Sequence, residues 1–485
     1  MNPFLAVAPH LGLIAVTMSA FHLLPIATSL IYRDGSAHAF VASMAVNVAA
    51  GGVIWLLTRR YRTSLGPRDG ILMVVLAWAG GAAFATLPLL LLIPGLSFTD
   101  AYFETVSGLT TTGATVLSNL DTLPPSLNLW RCLLVWLGGM GLIVLAVAVL
   151  PLLGVGGRQI MRAETPGPLK DTRLTPRITQ TAKALWVVYA LISIACLVAY
   201  AIAGMTWFDA LLHMFSTMGL GGFSSHDASF GYWNSPAIEA VAILFMMLAG
   251  INFGTHFLAL RARSVEPYQR DPELGLFVLV TLASCVGIAV YLYFAGTYDR
   301  FFAALRYASF NVVSIATTTG FSTTDFNAWP IFAPMWMLFL CSFVSCSGST
   351  GGGVKMIRAQ LLAVQVYREF IKLLHPQAVT PLKIREQVVE NKVIFAVLAF
   401  MFVYVSLIVI MTLTLLATGL DAITAFSAVI ACINNTGPGL DKVGPATTYA
   451  VLGDFQTWVC TFAMLVGRLE LFTLLIIFTP AFWRK

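Results

Sequence analysis

Four short segments rich in glycine and small polar residues are the part of this chain whose residue types and spacing could do chemistry. They are DAYFETVSGLTTTGAT (100–115), DALLHMFSTMGLGGFS (209–224), YASFNVVSIATTTGFS (307–322) and TAFSAVIACINNTGPG (424–439). Glycine admits positive φ and places no side chain in front of neighbouring carbonyl oxygens. Four sets of carbonyl oxygens around one axis can replace the water shell of a monovalent cation. One such segment indicates an ordinary turn, but four aligned copies predict a pore.

The four segments align residue by residue as copies of one pattern. An alanine lies twelve residues before each aligned glycine, at Ala101, Ala210, Ala308 and Ala425. A serine lies six residues before the glycine in three copies, at Ser107, Ser216 and Ser314, and the fourth has Ala431. The fourth copy also differs by carrying Asn434, Asn435 and Pro438. The pattern therefore indicates one unit used four times, with a divergent last copy.

Three residues of each copy are predicted to bind the cation through their backbone, and we call these triplets the glycine segments. They are Thr111, Thr112 and Gly113; Leu220, Gly221 and Gly222; Thr318, Thr319 and Gly320; and Asn435, Thr436 and Gly437. About ten to twelve residues precede each turn, enough for a helix of about 15–18 Å, half the thickness of a bilayer. The negative ends of four such half-helices would favour a cation.

Membrane spans are the elements that must position these segments. Apolar residues make up 58% of the 485-residue chain and charged residues 10%, against about 45–50% and 25% in soluble domains. This composition excludes a soluble globular protein, a disordered chain and a nucleic-acid-binding domain. Ten apolar stretches are predicted to span a bilayer: 4–30, 37–58, 70–93, 128–153, 183–204, 236–260, 274–296, 332–370 with an interruption, 391–417 and 453–483.

Charge placement predicts the orientation of these spans. Most of the 28 lysine and arginine residues fall on one side of the ten-span topology. The positive-inside rule makes that side cytoplasmic and places both termini there. The other side carries mainly acids, which raise the local concentration of cations. Each acid taken singly, Glu104 and Glu239 among them, is predicted to be a solvated surface group.

The sequence thus predicts an all-α polytopic membrane protein. Four fused span–pore-loop–span repeats would surround one ion pore, and two extra spans would precede them. The predicted units are 1–66 for the extra spans, 67–157 for repeat 1, 158–262 for a cytoplasmic linker and repeat 2, 263–372 for repeat 3, and 373–485 for repeat 4.

The eighth span contains an interruption, which we call the inner loop. Its residues are Cys346, Ser347, Gly348, Ser349, Thr350, Gly351, Gly352 and Gly353. Glycine and serine are poor helix formers, and the segment would lie across the conduction path beneath the glycine segments. It is predicted to be a movable loop that gates the pore. A plain kink between two half-helices is the alternative.

A single arginine, Arg468, falls within the last predicted span. A charge near the bilayer centre costs at least about 2.5–3.5 kcal/mol, so Arg468 must face the protein interior and find a partner. Oxygens of the inner loop are the predicted partners, which gives Arg468 a gating role. Glu470 is two residues further and is expected on another face of the helix. An arginine that extends to the cytoplasmic interface is the alternative.

These motifs resemble the TrkH/KtrB/HKT superfamily of potassium transporters, and its bacterial TrkH branch most of all. The resemblance rests on the four glycine segments, RAETPGPLKDTRLTPRITQTAK (162–183), CSGSTGGGVKMIR (346–358) and GRLELF (467–472), and it covers nearly the whole chain. It implies a potassium uptake protein of the bacterial inner membrane, with each repeat similar to one subunit of a tetrameric potassium channel. Plant members with a serine at the first filter glycine pass sodium, so four glycines here favour potassium.

The resemblance also implies partners. It implies a homodimer, a gating loop at 346–353, and a separate cytosolic nucleotide-binding regulatory subunit similar to TrkA. The chain itself has no GxxxxGK[ST] motif, so it is predicted to hold no nucleotide or other organic cofactor. Potassium is the expected transported ligand, and the lipid bilayer is the surrounding partner.

Two other functions are alternatives to the pore. An ion-coupled (H⁺ or Na⁺) potassium symporter with alternating access would also use broken helices, with Glu470 as its only candidate coupling acid within the membrane. An enzyme is not expected, because neither GxSxG nor HExxH occurs and His213 and His256 have no partner at a recognisable spacing. The seven cysteines include no CxxC pair, so neither a disulfide framework nor a zinc site is expected.

Overall fold

The computed structural model describes residues 3–61, 66–148, 178–385 and 387–484, and these ranges are almost wholly helical. Their one sheet is an antiparallel pair, β1 (Lys383–Ile384) and β2 (Gln387–Val388). The helices of the first half are α1 (Pro3–Ser19), α2 (Leu23–Tyr32), α3 (Ala37–Thr58), α4 (Pro67–Ala85), α5 (Leu87–Leu92), α6 (Phe98–Leu109), α7 (Pro125–Ala148), α8 (Ile178–Ala203), α9 (Trp207–Gly219), α10 (Pro236–Ala249) and α11 (Phe253–Ala262). Those of the second half are α12 (Glu266–Arg270), α13 (Leu274–Phe294), α14 (Phe301–Ala316), α15 (Phe332–Cys341), α16 (Met356–Leu374), α17 (Asn391–Ala417), α18 (Ala422–Ile433), α19 (Asp454–Arg468), α20 (Phe472–Leu475) and α21 (Pro480–Trp483).

Long apolar helices form the outside of the described structure. Six are long and apolar enough to cross a membrane, and the number rises to eight if each of two bent pairs counts as one span. Large apolar side chains on these helices point outward, such as Ile202 at 82% exposure and Phe294 at 81%. Such exposure is costly in water but not in lipid. These ranges therefore have the length and composition of a multi-pass membrane protein, as predicted.

Two predicted spans are wrong as continuous helices. The stretch 236–260 is α10 and α11, which meet at 93°. The stretch 453–483 is α19 followed by helix at Phe472–Phe478, which meet at 112°. At the first break the carbonyl of Gly250 accepts a hydrogen bond from the backbone N–H of Cys346 at 3.1 Å, so a distant loop inserts at the bend. Such insertions are a recognised cause of sharp kinks.

Other spans agree with the sequence or lie partly outside the described ranges. The interruption in 332–370 is present, because α15 ends at Cys341 and α16 begins at Met356. The predicted span 128–153 corresponds to α7, and its last residues lie outside the described ranges. So do most residues of the basic run 162–183, from which part of the resemblance was drawn.

Four short helices, α6, α9, α14 and α18, lead directly into the glycine segments, as predicted. They have 12, 13, 16 and 12 residues. Side-chain oxygens of Ser97, Thr206 and Asp421 accept a backbone N–H at the start of α6, α9 and α18, which is the usual way to begin a helix. Three of the four helices therefore begin at these capping residues, and all four end at the glycine segments.

The same four helices form the centre of the core. Every residue of α6 from Ala101 to Leu109 is buried. The four repeated alanines, Ala101, Ala210, Ala308 and Ala425, all have 0% exposure. A methyl side chain at this position allows neighbouring helices to approach closely. The repeated alanine is therefore explained by packing and needs no chemical role.

Candidate functional site

The four glycine segments share one backbone conformation although their side chains differ. The first residue of each has positive φ: 54° at Thr111, 54° at Leu220, 62° at Thr318 and 54° at Asn435. The glycine two positions later also has positive φ: 82° at Gly113, 61° at Gly222, 89° at Gly320 and 96° at Gly437. Non-glycine residues rarely adopt this region. The divergent fourth copy therefore has the same backbone as the other three.

A backbone hydrogen bond ends each half-helix and begins each glycine segment. The N–H of Thr112 donates to the carbonyl of Ser107 at 2.8 Å, and that of Thr319 donates to Ser314 at 2.7 Å. In the fourth copy the N–H of Thr436 donates to Ala431 at 2.8 Å. The acceptor is a carbonyl group, so an alanine serves as well as a serine. This explains why Ala431 does not disturb the fourth segment.

The four segments close into a ring in which each glycine contacts the next segment. A Cβ atom added at Gly113 would lie 2.3 Å from the Gly221 oxygen, and one at Gly222 would lie 2.3 Å from the Thr319 oxygen. One at Gly320 would lie 2.1 Å from the Thr436 oxygen, and one at Gly437 would lie 2.6 Å from the Thr112 oxygen. These contacts run from copy 1 through copies 2, 3 and 4 and back to copy 1. Any side chain at these glycines would break the ring.

Most carbonyl oxygens in this ring lack a hydrogen-bond donor among the described residues. The exceptions are Gly221, which accepts from the Phe223 N–H at 2.8 Å, and Gly437, which accepts from the Tyr449 hydroxyl at 2.8 Å. The carbonyl oxygens of Thr111, Thr112, Thr318 and Thr319 accept no hydrogen bond from the described residues, although all four residues have 0% exposure. Buried carbonyl groups are nearly always paired, so an unpaired set is ready to bind a cation. No group of three His, Cys, Asp or Glu residues that could hold a metal ion occurs in the described ranges. Backbone oxygens are therefore the best candidate ligands in this part of the chain.

A cavity of about 320 Å³ opens on one side of the ring. The four glycines Gly113, Gly222, Gly320 and Gly437 line it together with the segments that follow them. Its charged and titratable lining residues are Arg131, His226, Asp227 and Tyr449. The predicted outer loops are rich in acids, and they contribute one carboxylate, that of Asp227, to the lining of this cavity. We call this the outer side, because the predicted outer loops surround it.

Two acids predicted to be solvated are instead buried and paired. Glu104 has 1% exposure and lies 2.8 Å from the Arg131 guanidinium. Glu239 has 3% exposure and lies 2.6 Å from Arg306. The sequence prediction was wrong for both, because a charged residue in a helix gives no sign of a partner that is distant in the chain. His226 likewise contacts Asp121 and Asp209 rather than its neighbour Asp227.

The inner loop lies on the opposite side of the ring and contacts three of the four segments or their helix ends. The N–H of Gly352 donates to the Thr318 hydroxyl at 2.8 Å. The Thr350 hydroxyl donates to the Met218 carbonyl at 2.9 Å. A Cβ atom at Gly352 would lie 2.0 Å from the Asn434 oxygen. The loop therefore packs directly against the ring and leaves no room for a larger residue at Gly352.

Arg468 binds the inner loop and an adjacent helix. Its Nη1 donates to the Thr350 carbonyl at 3.0 Å and its Nη2 donates to the Gly138 carbonyl at 2.9 Å. The side chain has 2% exposure, so it does not extend to the surface. Glu470 pairs with Arg358 at 2.7 Å. Helical spacing does not apply to Glu470, because α19 ends at Arg468 and Glu470 has φ of 57°.

Glu273 is a residue of this region that the sequence analysis missed. It has 0% exposure, and its carboxylate accepts the backbone N–H of Ser347 at 3.0 Å and that of Ile357 at 2.9 Å. It therefore binds the start of the inner loop and the first turn of α16, just after the loop. The partners lie 74 and 84 residues away, so no local pattern could have revealed this contact.

The fold is that of a polytopic helical membrane protein, and comparison with known proteins gives its family. The profile described as "Cation transport protein" for the TrkH family matches residues 36–485. The chain belongs to the TrkH family, as the resemblance indicated. This is a family of transport proteins, which confirms that the chain is not an enzyme.

Named relatives match over their full length. The Trk system potassium uptake protein TrkH of Salmonella typhimurium is 45% identical over 483 residues, covering 99% of this chain and 100% of the relative. The protein of the same name from Halomonas elongata is 47% identical over 477 residues, covering 98% of each. The crystal structure of the potassium transporter TrkH from Vibrio parahaemolyticus superposes with a TM-score of 0.91 at 43% identity, covering 100% of both chains.

Proposed function

We propose that this protein takes up potassium across a bacterial inner membrane through a selectivity filter of backbone carbonyl oxygens. The relatives above bear the name of potassium uptake proteins. The observation that carries the proposal is the closed ring of four glycine segments, in which most of the buried carbonyl oxygens, those of Thr111, Thr112, Thr318 and Thr319 among them, accept no hydrogen bond from the described residues. Carbonyl rings of this kind replace the hydration shell of potassium. Potassium is the transported ligand, and this chain holds no organic cofactor.

The half-helices support the same proposal. α6, α9, α14 and α18 end at Leu109, Gly219, Ala316 and Ile433, next to the glycine segments. The C-terminal end of a helix carries about half a negative charge. Four such ends directed at one ring favour a cation inside it. The chain is then built of two N-terminal spans (1–66) and four repeats (67–157, 158–262, 263–372 and 373–485) around one pore.

The inner loop and Arg468 form the gate in this proposal. The loop lies against the inner side of the ring, and Arg468 holds it through the Thr350 carbonyl at 3.0 Å. Lys355, at the end of the loop, donates to the Gly351 carbonyl. These cations on the conduction path would repel potassium. Release of the loop would remove the obstruction and move the charges away from the axis.

Orientation and partners complete the proposal. Exposed basic residues lie between the last turn of α11 and the end of α12, at Arg261, Arg263 and Arg270, and the positive-inside rule places them and both termini in the cytoplasm. They offer a surface to a cytosolic nucleotide-binding subunit similar to TrkA, which would control the gate. A homodimer is part of the proposal, since symmetric dimers are the commonest assembly.

Flux of potassium and sodium into proteoliposomes that contain this chain alone tests the proposal, with the membrane potential fixed. We expect potassium to follow its electrochemical gradient without added protons or nucleotide. Gly113→Ala should abolish this flux, because its Cβ would lie 2.3 Å from the Gly221 oxygen. Gly287→Ala in α13 is the matched control, because no atom lies within 4 Å of the added methyl group. Equal potassium flux from both variants would refute the filter.

The ion-coupled symporter is the second candidate, and the two bent spans favour it because broken helices are typical of alternating access. Its coupling acid would be Glu470, which is held by Arg358 at 2.7 Å. Potassium flux that requires a proton or sodium gradient, and that Glu470→Gln uncouples, would establish the symporter in place of the passive pore.

A further inference from the structure

A buried polar side chain stands behind each glycine segment, near the middle of each half-helix. We call these four the supporting residues: Glu104, His213, Asn311 and Ser427. The first three lie nine residues before the aligned glycine, and Ser427 lies ten before it. Their exposures are 1%, 0%, 0% and 0%. A polar group that is buried so completely needs hydrogen-bond partners. In each copy such a partner lies just beyond the glycine segment.

Glu104 and Asn311 bind the chain just beyond their own glycine segments. Glu104 Oε2 accepts the backbone N–H of Val116 at 3.0 Å, and the carboxylate also accepts the Thr115 hydroxyl at 3.0 Å. Asn311 Oδ1 accepts the backbone N–H of Thr323 at 3.3 Å, while its Nδ2 donates to the Thr323 hydroxyl at 2.9 Å. A carboxylate and an amide thus make the same type of contact in copies 1 and 3.

Ser427 and His213 make the corresponding contacts in the other copies. Ser427 Oγ accepts the backbone N–H of Leu440 at 2.8 Å. His213 Nδ1 lies 2.8 Å from the Asp209 carbonyl, which can only accept, so Nδ1 carries the proton. Nε2 of the neutral ring then accepts from the Ser224 hydroxyl at 2.9 Å.

The partners in the four copies occupy nearly equivalent positions after the aligned glycine. Val116, Thr323 and Leu440 are each the third residue after the aligned glycine, and Ser224 is the second. Each segment is thus held at its inner end by the half-helix and at its outer end by a supporting residue. We infer that Glu104, His213, Asn311 and Ser427 are positioning residues that set the selectivity for potassium over sodium. This inference rests on the proposed filter.

The physical reason is the rigidity of the ring. A ring whose outer end is free can contract around a smaller ion, whereas a ring fixed at both ends leaves that ion with poor coordination. One hydrogen bond contributes about 1 kcal/mol, which corresponds to roughly fivefold in a ratio of rates. Glu104 also pairs with Arg131 at 2.8 Å, so its removal leaves a buried charge unpaired. Asn311 and Ser427 are neutral and are the better positions for a test.

The experiment compares the potassium-to-sodium permeability ratio of variants in proteoliposomes. We expect Asn311→Leu to lower the ratio about 25-fold, because it removes both bonds to Thr323. Ser427→Ala should lower it about fivefold, because the Leu440 N–H loses its acceptor. Thr323→Ser keeps the hydroxyl and the backbone N–H and should leave the ratio unchanged. Thr281→Val is the structural control, since this buried hydroxyl bonds only to the Phe277 carbonyl of its own helix.

The outcomes separate this inference from the proposed filter. If Asn311→Leu does not fold, Ser427→Ala decides the question. The positioning role is wrong if folded Ser427→Ala keeps the wild-type permeability ratio and Asn311→Leu, where it folds, keeps it as well. If Gly113→Ala also keeps the wild-type flux and ratio, the filter itself fails. A lowered ratio for the supporting-residue variants, with unchanged melting temperature and an unchanged Thr281→Val control, supports the inference.

Discussion

The two sides of the glycine ring are built in opposite ways. On the outer side the ring opens into a cavity of about 320 Å³. On the inner side the loop fits so closely that a methyl group at Gly352 would lie 2.0 Å from the Asn434 oxygen. One face of the ring is thus open to a cavity and the other is covered by the inner loop. This difference is the reason for the proposal that transport is controlled from the inner side.

The contacts of the supporting residues and those of the inner loop differ in their distance along the chain. On the outer side, Glu104 reaches Val116 across 12 residues and Ser427 reaches Leu440 across 13. On the inner side, Arg468 reaches Thr350 across 118 residues and Gly138 across 330. The supporting contacts therefore lie within one repeat, whereas those of Arg468 join distant parts of the chain. In the proposed mechanism, the filter can then stay intact while the gate opens.

Removal of Arg468 should give the largest change on the inner side. Arg468→Ala deletes two charge-assisted hydrogen bonds that hold the loop, and each contributes about 1.5–3 kcal/mol. We expect potassium flux through the chain alone to rise at least about tenfold. Exposed Arg261→Ala is the control and should leave the flux unchanged. Wild-type flux from a correctly assembled Arg468→Ala protein would show that the inner side is not the gate.

The substitution Gly352→Ala tests the inner side of the ring through the size of one added methyl group. Gly352→Ala overlaps the Asn434 oxygen, and the loop is the partner free to move because α18 and its supporting residue hold the segment. We expect flux to rise about fivefold with little loss of selectivity. Gly275→Ala, with no atom within 4 Å of its added methyl group, is the matched control. A collapse of selectivity would instead mean that the filter moves and the loop is rigid.

Glu273 is expected to have a smaller effect on the gate. Glu273→Gln keeps one acceptor oxygen but weakens the bonds to the Ser347 and Ile357 N–H groups. Potassium flux should rise about threefold in Glu273→Gln. It should rise further in Glu273→Ala. Glu266→Gln, on the surface in α12, is the control. If both Glu273 variants conduct like the wild type, the loop is held by Arg468 alone.

The smallest expected effect lies on the outer side and depends on pH. His226 is partly buried, which opposes its charge, but the hydrogen bonds that it donates to the Asp209 and Asp121 carboxylates outweigh burial and raise the pKa of His226. Its stabilising contribution is therefore complete below its ordinary pKa of about 6.5 and is lost as the pH rises through the raised value. Wild type should melt about 1–2 °C above His226→Gln at pH 5.5. This margin should vanish at pH 9, while potassium flux stays equal. A margin that grows with pH would contradict the assigned pairing.

Several features of the site were predictable because they depend on local rules. The repeated glycines need positive φ, and the short helices before them have a length that the sequence shows directly. The bends at 250–252 and 469–471 were not predictable. Both stretches are apolar enough for a continuous helix, and at Gly250 the Cys346 N–H from a distant loop inserts. The pairing of Glu470 with Arg358 follows from the second bend and was missed for the same reason.

The sequence by itself determined the membrane environment, the fourfold pattern and the positions of the glycine segments. Each of these follows from composition, from spacing or from the backbone freedom of glycine, which are properties of neighbouring residues. The sequence also predicted the contact of Arg468 with oxygens of the inner loop. Only the tertiary structure decided which atoms meet between neighbouring segments of the ring, that Glu104 is buried against Arg131, and that Glu273 binds the inner loop. These contacts join residues far apart in the chain, and the partner of a buried charge is fixed by packing rather than by its neighbours in sequence.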